Sequence, residues 1–190
     1  MNLPLTPLRF LERAQNLYGD KQGVICGELR LTYSEFYDRC RRLAGGLAGL
    51  GIRAGDRVGF LGYNCHRLLE GYYGVLLAGG VLLPINIRLA PAEIAFILKD
   101  SGAKVLFFDP DFIPLVESMR DAGGIGWRCL SLEETTPLPS WADPRLFRAL
   151  GWLHPAPRSI LGSQAGHTGC RLWAASLSPF VVRFICWFQN

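Results

Sequence analysis

The strongest pattern in the chain is a helix followed at once by a strand, between residues 68 and 87. Gly79 and Gly80 are predicted to end the helix, because glycine adopts the left-handed conformation of a helix C-cap without a steric penalty. The unbroken apolar run at 81–83 predicts a strand covered on both faces, as in a parallel sheet, and Pro84 closes it. The predicted apolar face of the helix consists of Leu69, Tyr72, Tyr73 and Leu76.

Regular elements are also predicted upstream of this pair. A short amphipathic helix at 8–17 precedes a hairpin that turns at 27–28. Thr32 stands three residues before Glu35, which is the spacing of a capping box, and the helix that begins there ends at Gly51. Its apolar stripe is Phe36, Cys40, Leu43, Leu47 and Leu50. Its solvated face is predicted to carry Arg39, Arg41 and Arg42.

The order of elements predicts the fold class. A short strand at 58–62 precedes the central helix, and a further helix runs from Pro91 to Gly102 with its core face at Ile94, Ile97 and Leu98. A buried strand at 104–109 follows. Strands alternating with helices predict an α/β fold, here a partial doubly wound, mainly parallel sheet with flanking helices.

The composition changes after residue 120. All five tryptophans lie beyond it, the last lysine is Lys104, and the last carboxylate is Asp143. A further strand is predicted at 129–133, and the rest has no sustained period. We therefore divide the chain into residues 1–120 and an irregular C-terminal tail at 121–190, whose composition suggests a change of reading frame.

Composition and charge exclude several classes of protein. A hydrophobic content of 49% and a charged content of 19% indicate a folded globular chain. Residues 144–190 carry five arginines and no carboxylate, so the other 143 residues carry a net charge of −1 and present no basic surface for nucleic acid. No apolar run reaches the length of a membrane span, and no secretion signal is visible. With six scattered cysteines that are expected to be reduced, these features favour the cytoplasm.

Several motifs in a fixed order carry a family resemblance. They are LTYSEF at 31–36, the GIxxGDRV pattern at 51–58, LAGGVLLPIN at 77–86 and DSGAKVL at 100–106. Over residues 8–120 the chain resembles the N-terminal part of the AMP-forming acyl-CoA synthetases, in the adenylate-forming superfamily. The resemblance implies a protein that activates a carboxylic acid with Mg-ATP and passes the acyl group to coenzyme A.

The family's catalytic motifs are not found in these 190 residues. Its phosphate-binding loop has the form Thr-Ser-Gly-Thr-Thr-Gly-x-Pro-Lys-Gly, and the nearest string, at 162–169, lacks the Pro-Lys-Gly ending. The tail has no lysine, and no carboxylate after Asp143, to serve in the family's later motifs. No catalytic, cofactor-binding or metal residue is therefore assigned, and no cofactor is expected for this chain alone. We expect a ligase fragment that is inactive by itself. The alternatives are a subunit that completes an active site with another chain, and a non-catalytic module that binds acyl-CoA, a nucleotide or a protein partner.

Other possible sites are interpreted as structural. Asp109 and Asp111 follow a strand and are predicted to form a solvated acidic turn instead of a metal site. The glycines at 49–55 follow a helix and are predicted to form a cap and a turn instead of a dinucleotide fingerprint. The three histidines lack catalytic partners at motif spacing: His66 is predicted to start a helix, and the others, His154 and His167, to lie in loops. Uncovered sheet edges and apolar helix faces are expected to favour self-association.

Overall fold

Five α-helices and six strands make up the part of the chain that this computed structural model describes, which is residues 6–121, 126–132 and 140–142. A 3-10 turn at Pro110–Phe112 precedes the last helix. The elements are α1 Pro7–Tyr18, β1 Gln22–Cys26, β2 Leu29–Thr32, α2 Tyr33–Gly49, β3 Arg57–Leu61, α3 His66–Leu77, β4 Val81–Pro84, α4 Pro91–Ser101, β5 Val105–Phe108, α5 Ile113–Asp121 and β6 Arg128–Ser131.

Four strands form a parallel sheet in the order β4-β3-β5-β6. Phe60 and Phe107 face one side, where α2 and α3 cover the sheet, while Leu106 and Phe108 face the other side, towards α4 and α5. Strands β1 and β2 form a separate antiparallel hairpin that packs with α1 and α2. The predicted α/β fold, a doubly wound parallel sheet between flanking helices, is confirmed.

The predicted capping box at the start of α2 is present. The Thr32 side chain accepts a hydrogen bond from the Glu35 backbone N–H at 3.2 Å, and the Glu35 carboxylate accepts one from the Thr32 N–H at 2.8 Å. After the helix, Gly51 adopts a φ of +82°, which explains why the helix ends before a glycine. Thr32 and Glu35 thus set the boundary between the hairpin and the helix that packs on the sheet.

We predict that Thr32→Ala lowers the free energy of unfolding by about 1 kcal/mol, because the substitution leaves the Glu35 amide without its side-chain acceptor. Thr6→Ala is the matched control, since Thr6 also precedes a helix but its side chain makes no capping hydrogen bond. Urea unfolding followed by circular dichroism measures both. Equal losses for the two variants would contradict the assigned role of the capping box.

The predicted apolar face of α3 is only partly right: Leu69 and Tyr73 pack against the cluster beneath the β1–β2 hairpin, but Tyr72 does not. Tyr72 is 43% exposed, whereas the buried positions are Leu68, Glu70, Gly71, Gly74 and Val75. Gly71 and Gly74 lie where α3 approaches its neighbours, since an added Cβ would lie 3.4 Å from Phe60 of the sheet and 2.7 Å from Leu43 of α2. Glycine adds nothing to a count of apolar side chains, so the periodicity of the large residues did not reveal the most buried side of the helix.

The prediction that 81–83 is covered on both faces holds for Leu82 and Leu83, which pack against the clusters on opposite faces of the sheet, but not for Val81. β4 is an edge strand of the described sheet, and Val81 is exposed while Leu82 and Leu83 are partly buried. The strand buried on all sides is β5, whose four residues are all buried. Both strands are short apolar runs, and their place in the sheet depends on the crossover connections, which local composition does not encode.

The remaining helix predictions agree with the structure in the described part. α4 begins with Pro91, buries Ile94 and Leu98 but leaves the predicted core residue Ile97 only partly buried, and ends at Gly102, whose φ of +61° is left-handed. β6 lies beyond residue 120 and pairs with β5, in agreement with a strand near Cys129. Within the described ranges, no helix is long and apolar enough to cross a bilayer. The glycine string at 162–169, the apolar run at 180–188, His154 and His167 lie outside the described residues.

Candidate functional site

The carboxyl edge of the parallel sheet is the place where a doubly wound fold can form a crevice. The chain leaves β3 towards β4 on one side and leaves β5 towards β6 on the other, so the strand order reverses between β3 and β5. Ligands of open α/β sheets bind at such a reversal, outside the carboxyl ends of the strands. The loops at this point are 62–65 and 109–112.

The side chains at this edge contact each other. The Tyr63 ring lies 5.3 Å from the Phe112 ring, measured between centroids. The Asp109 carboxylate accepts a hydrogen bond from the Asp111 backbone N–H at 3.1 Å, which caps the 3-10 turn. Partial burial, and then the neighbouring carboxylates of Asp111 and Asp109, raise the pKa of the Tyr63 phenol, which therefore keeps its proton at neutral pH.

This arrangement fits a structural turn. As expected from the sequence, Asp109 and Asp111 form an acidic turn after a strand. Throughout the described ranges, no three His, Cys, Asp or Glu side chains are placed to hold a metal ion. We derive no metal-dependent step from the described residues.

A buried ion pair lies between α2 and α3. The Arg39 guanidinium donates from Nε to Oε1 of Glu70 at 2.6 Å, and the side chains are 11% and 0% exposed. The prediction that Arg39 lies on the solvated face of α2 is therefore wrong, although Arg41 is exposed as expected. The reason is that α3 crosses α2 at this position and brings a carboxylate to Arg39.

Burial around this ion pair disfavours the charged forms of Glu70 and of the neighbouring His66. Glu70 Oε2 and His66 Nδ1 are buried and have no hydrogen-bond partner among the described residues. Burial raises the pKa of the Glu70 carboxyl, although Arg39 favours its charged form. Burial, with the positive charges of Arg67 and Arg39, lowers the pKa of His66 to about 3. His66 starts α3 as predicted, and its imidazole is neutral at physiological pH.

We predict that His66 makes stability depend on pH on the acid side of neutrality. Its ordinary pKa is 6.5 and its folded-state pKa is about 3. The unfolded chain therefore binds more protons than the folded chain between these values, and stability falls as pH drops through 6.5. Between pH 7 and pH 5, the protonation of His66 in the unfolded chain lowers the free energy of unfolding by about 2 kcal/mol.

His66→Gln tests this dependence, because glutamine does not titrate. Urea unfolding at pH 7 and pH 5 should show a smaller acid loss in the variant than in the parent chain. The raised pKa of Glu70 acts with the opposite sign, since a carboxyl that binds its proton more tightly when folded favours folding at low pH. It is common to both proteins and largely cancels in the comparison. An equal acid loss in both would rule out His66 as its source.

Sequence reasoning missed Glu70, although a signal was available. Glu70 is the only carboxylate between Asp56 and Glu93, and it sits within a helix rich in leucine, tyrosine and glycine. An ionisable residue that is buried in such a helix requires a partner of opposite charge. Only the packing of α3 against α2 identifies that partner as Arg39.

The segments that carried the family resemblance lie at junctions of the fold. LTYSEF spans the end of β2 and the capping box of α2, and LAGGVLLPIN spans the turn from α3 into β4. DSGAKVL joins the end of α4 to β5. These motifs therefore build the sheet and its helices, and none of them supplies a group to the carboxyl edge between β3 and β5.

Comparison with protein families gives a match over most of the chain. The family model described as "AMP-binding enzyme" matches residues 11–146. The chain belongs to the AMP-binding enzyme family. The resemblance stated from the sequence, to the N-terminal part of an AMP-forming acyl-CoA ligase, is confirmed.

Similar curated proteins are acyl-CoA ligases. A long-chain-fatty-acid–CoA ligase of Thermus thermophilus is 52% identical over 115 residues, which are 58% of this chain and 21% of that protein. A peroxisomal butyrate–CoA ligase of Arabidopsis thaliana is 42% identical over 118 residues, which are 62% of this chain and 21% of that protein. This AMP-binding chain thus spans about a fifth of the length of these relatives.

Similar solved structures confirm the fold. The crystal structure of an anthranilate CoA ligase with anthranoyl-AMP superposes with a TM-score of 0.70 at 25% identity, over 78% of this chain and 29% of that one. A Rhodopseudomonas palustris protein assigned as a long-chain-fatty-acid CoA ligase gives a TM-score of 0.67 at 31% identity, over 77% of this chain and 36% of that one. The sheet and helices described above are therefore those of AMP-binding enzymes.

Proposed function

We propose that this chain forms the N-terminal portion of an ATP-dependent acyl-CoA ligase, which converts a carboxylic acid, ATP and CoA into acyl-CoA, AMP and pyrophosphate. The observation that carries the proposal is the 52% identity over 115 residues to a long-chain-fatty-acid–CoA ligase, joined to a family match over residues 11–146. The relatives are ligases of long-chain fatty acids, butyrate and benzoate, so the proposed substrate class is a carboxylic acid.

We further propose that residues 1–190 alone do not catalyse this reaction. Adenylation develops negative charge on the carboxylate and phosphate oxygens, and it requires hydrogen-bond donors, a metal ion and cationic side chains aimed at those oxygens. The sequence supplies no Pro-Lys-Gly phosphate loop and no lysine after Lys104. In the described part, the residues at the carboxyl edge of the sheet are used for a turn and for ring packing. The function proposed for this portion is to build and stabilise the sheet of the ligase.

Acid-dependent pyrophosphate release tests both statements. Residues 1–190 should release no pyrophosphate from Mg-ATP with butyrate, benzoate or a long-chain fatty acid. A chimera tests the structural role: residues 8–120 replace the matching segment of the Thermus thermophilus relative, and the same relative without that segment is the control. The chimera should retain activity, and the control should lose it. Turnover by residues 1–190 would overturn the first statement, and a folded but inactive chimera would overturn the second.

We propose that residues 1–120 are the ligase-like portion and that 121–190 contain a segment translated in another reading frame. The five tryptophans and the absence of lysine in the tail support this interpretation. The pairing of β6 with β5 and the family match up to residue 146 support an extension of the ligase-like portion past residue 120, so we place the change of frame after β6. Sequencing the coding DNA through this region tests it. A second frame that resumes with the phosphate-loop motif is expected, and its absence from all frames would overturn the proposal.

We propose a cytoplasmic location, supported by cysteine chemistry. The described residues Cys26, Cys40, Cys65 and Cys129 form no disulfide with one another, as expected in a reducing compartment. Several relatives are named as peroxisomal. Imaging of a fluorescent fusion beside a peroxisomal marker separates the two locations, and a punctate signal that coincides with the marker would contradict the proposal.

We also propose that residues 1–190 self-associate through uncovered apolar surface. Phe96 on α4, Leu17 and Phe10 on α1 are 67%, 57% and 53% exposed. Exposed groups of this size favour association when they form patches. Sedimentation velocity should show a concentration-dependent increase in mass that Phe96→Ser reduces. A strictly monomeric parent chain would contradict this proposal.

A further inference from the structure

β4 is the edge of the described sheet that faces solvent. Val81 is 48% exposed and Pro84 is exposed, and no strand of the described ranges pairs with the outer side of β4. At the opposite edge, the residues of β6 that follow Arg128 are buried. An exposed edge presents unpaired backbone groups and is a template for pairing with another chain.

The hydrogen bonds to β3 show which residues of β4 face outward. Val81 donates its backbone N–H to Asp56 at 2.8 Å, and Ile85 donates to Phe60 at 2.9 Å. Backbone groups alternate from one side of a strand to the other, so Leu82 and Pro84 direct their backbone groups away from β3. Proline has no N–H. The outer side of β4 therefore carries two carbonyl groups and a single donor, the N–H of Leu82.

If β4 of a second copy of the chain paired with this edge, it too would offer only one backbone N–H donor, that of Leu82. In the antiparallel register whose two-fold axis passes through Leu83, Leu82 of one chain lies opposite Pro84 of the other, and a full pair of residues exchanges two hydrogen bonds. The two Leu82–Pro84 pairs together need four hydrogen bonds. Proline removes one donor from each pair, so only two form, and each Leu82 carbonyl is left without its partner.

We propose that Pro84 closes the β4 edge against pairing with β4 of a second copy of this chain. Self-association then proceeds through side-chain surfaces and not through a continuous sheet. The inference depends on the strand order and on the backbone hydrogen bonds of β4, and it is independent of the ligase reaction proposed above. A proline confined to an edge strand is a common means by which sheet proteins avoid edge-to-edge aggregation.

Pro84→Val tests the proposal, because valine restores the N–H and favours a strand. The variant is expected to lower the dissociation constant for self-association at least tenfold in sedimentation equilibrium. Pro91→Ala is the matched control, since it removes a proline from the first turn of α4, where no edge is present. Adding Val81→Lys to Pro84→Val should reverse the gain, because a charge on an exposed edge opposes pairing.

Hydrogen exchange of the parent chain gives a second test that needs no variant. The Leu82 amide should exchange at a rate independent of protein concentration, since no partner strand protects it. The proposal is overturned if this amide becomes protected as the parent chain associates. It is also overturned if folded Pro84→Val associates no more strongly than the parent chain and the Pro91→Ala control.

Discussion

Gly74→Val is expected to lower the free energy of unfolding by about 3 kcal/mol, because it adds a side chain where α3 approaches α2 too closely to hold one. A Cβ atom at Gly74 would lie 2.7 Å from Cδ2 and 2.9 Å from Cγ of Leu43, and 3.0 Å from the backbone oxygen of Cys40. These separations are far inside van der Waals contact, so one of the groups must move.

The surrounding atoms leave little room for that movement. Leu43 and Cys40 are both fully buried, and the Cys40 oxygen belongs to the backbone of α2. Leu43 also packs in the cluster beneath α2 and α3 with Phe60 and Val75. A shift of α3 away from α2 would therefore open the core that the two helices share. Against a total stability of about 5 to 15 kcal/mol for an ordinary domain, this is a large loss.

Gly45→Ala is the control for this prediction. Gly45 also lies within a helix, but a Cβ there meets no atom within 4 Å. Replacing an exposed helical glycine by alanine should raise stability by up to about 1 kcal/mol, because the unfolded chain loses conformational freedom. Urea unfolding of the two variants should shift in opposite directions. A Gly74→Val protein with parental stability would mean that α2 and α3 are not in the described contact.

Arg39→Met is expected to destabilise the chain by about 3 to 5 kcal/mol, because it leaves Glu70 buried without its cationic partner. Glu70 is fully buried, and its hydrogen bond from Arg39 at 2.6 Å satisfies one of its two oxygens. The free energy needed to desolvate the unpaired Glu70 carboxylate is larger than the free energy gained by packing a methionine side chain at position 39. At neutral pH the carboxyl can reduce this cost by binding a proton, since burial already raises its pKa.

Two further variants separate charge from packing. Arg41→Met removes an exposed arginine from the same helix and should change stability by less than about 1 kcal/mol. Arg39→Met combined with Glu70→Leu removes both charges, so most of the loss should be recovered. Unfolding free energies of the parent chain, Arg39→Met, Glu70→Leu and the double variant complete a double-mutant cycle, with Arg41→Met as the control. Absence of recovery in the double variant would indicate that the pair matters for packing and not for charge compensation.

The helix boundaries show how far local chemistry reaches. Thr32 and Glu35 satisfy each other's backbone groups within four residues, and Gly51 and Gly102 adopt the left-handed conformations expected at helix ends. These features depend on neighbouring residues alone, so they could be predicted without the fold. The order of the motifs likewise identifies the family from the sequence alone.

The incorrect sequence predictions all concern which face of a helix or strand packs against its neighbours. α3 turns Gly71 and Gly74 towards its neighbours, because a close approach of helix and sheet requires positions without a side chain. Arg39 is partly buried because Glu70, thirty-one residues later, lies on the helix that crosses α2. β4 lies at an edge because the chain returns across β3 to form β5. None of these outcomes can be read from the spacing of residues within one element.

The sequence by itself determined the class of fold, the ends of the helices, the family and the absence of the family's phosphate loop from these 190 residues. Periodicity, capping and short motifs act over a few residues, and their free energies are set locally. The tertiary structure alone decided the face of α3, the partner of Arg39 and the exposed edge at β4. Those features arise from contacts between residues distant in the chain, whose geometry depends on how the helices and strands cross.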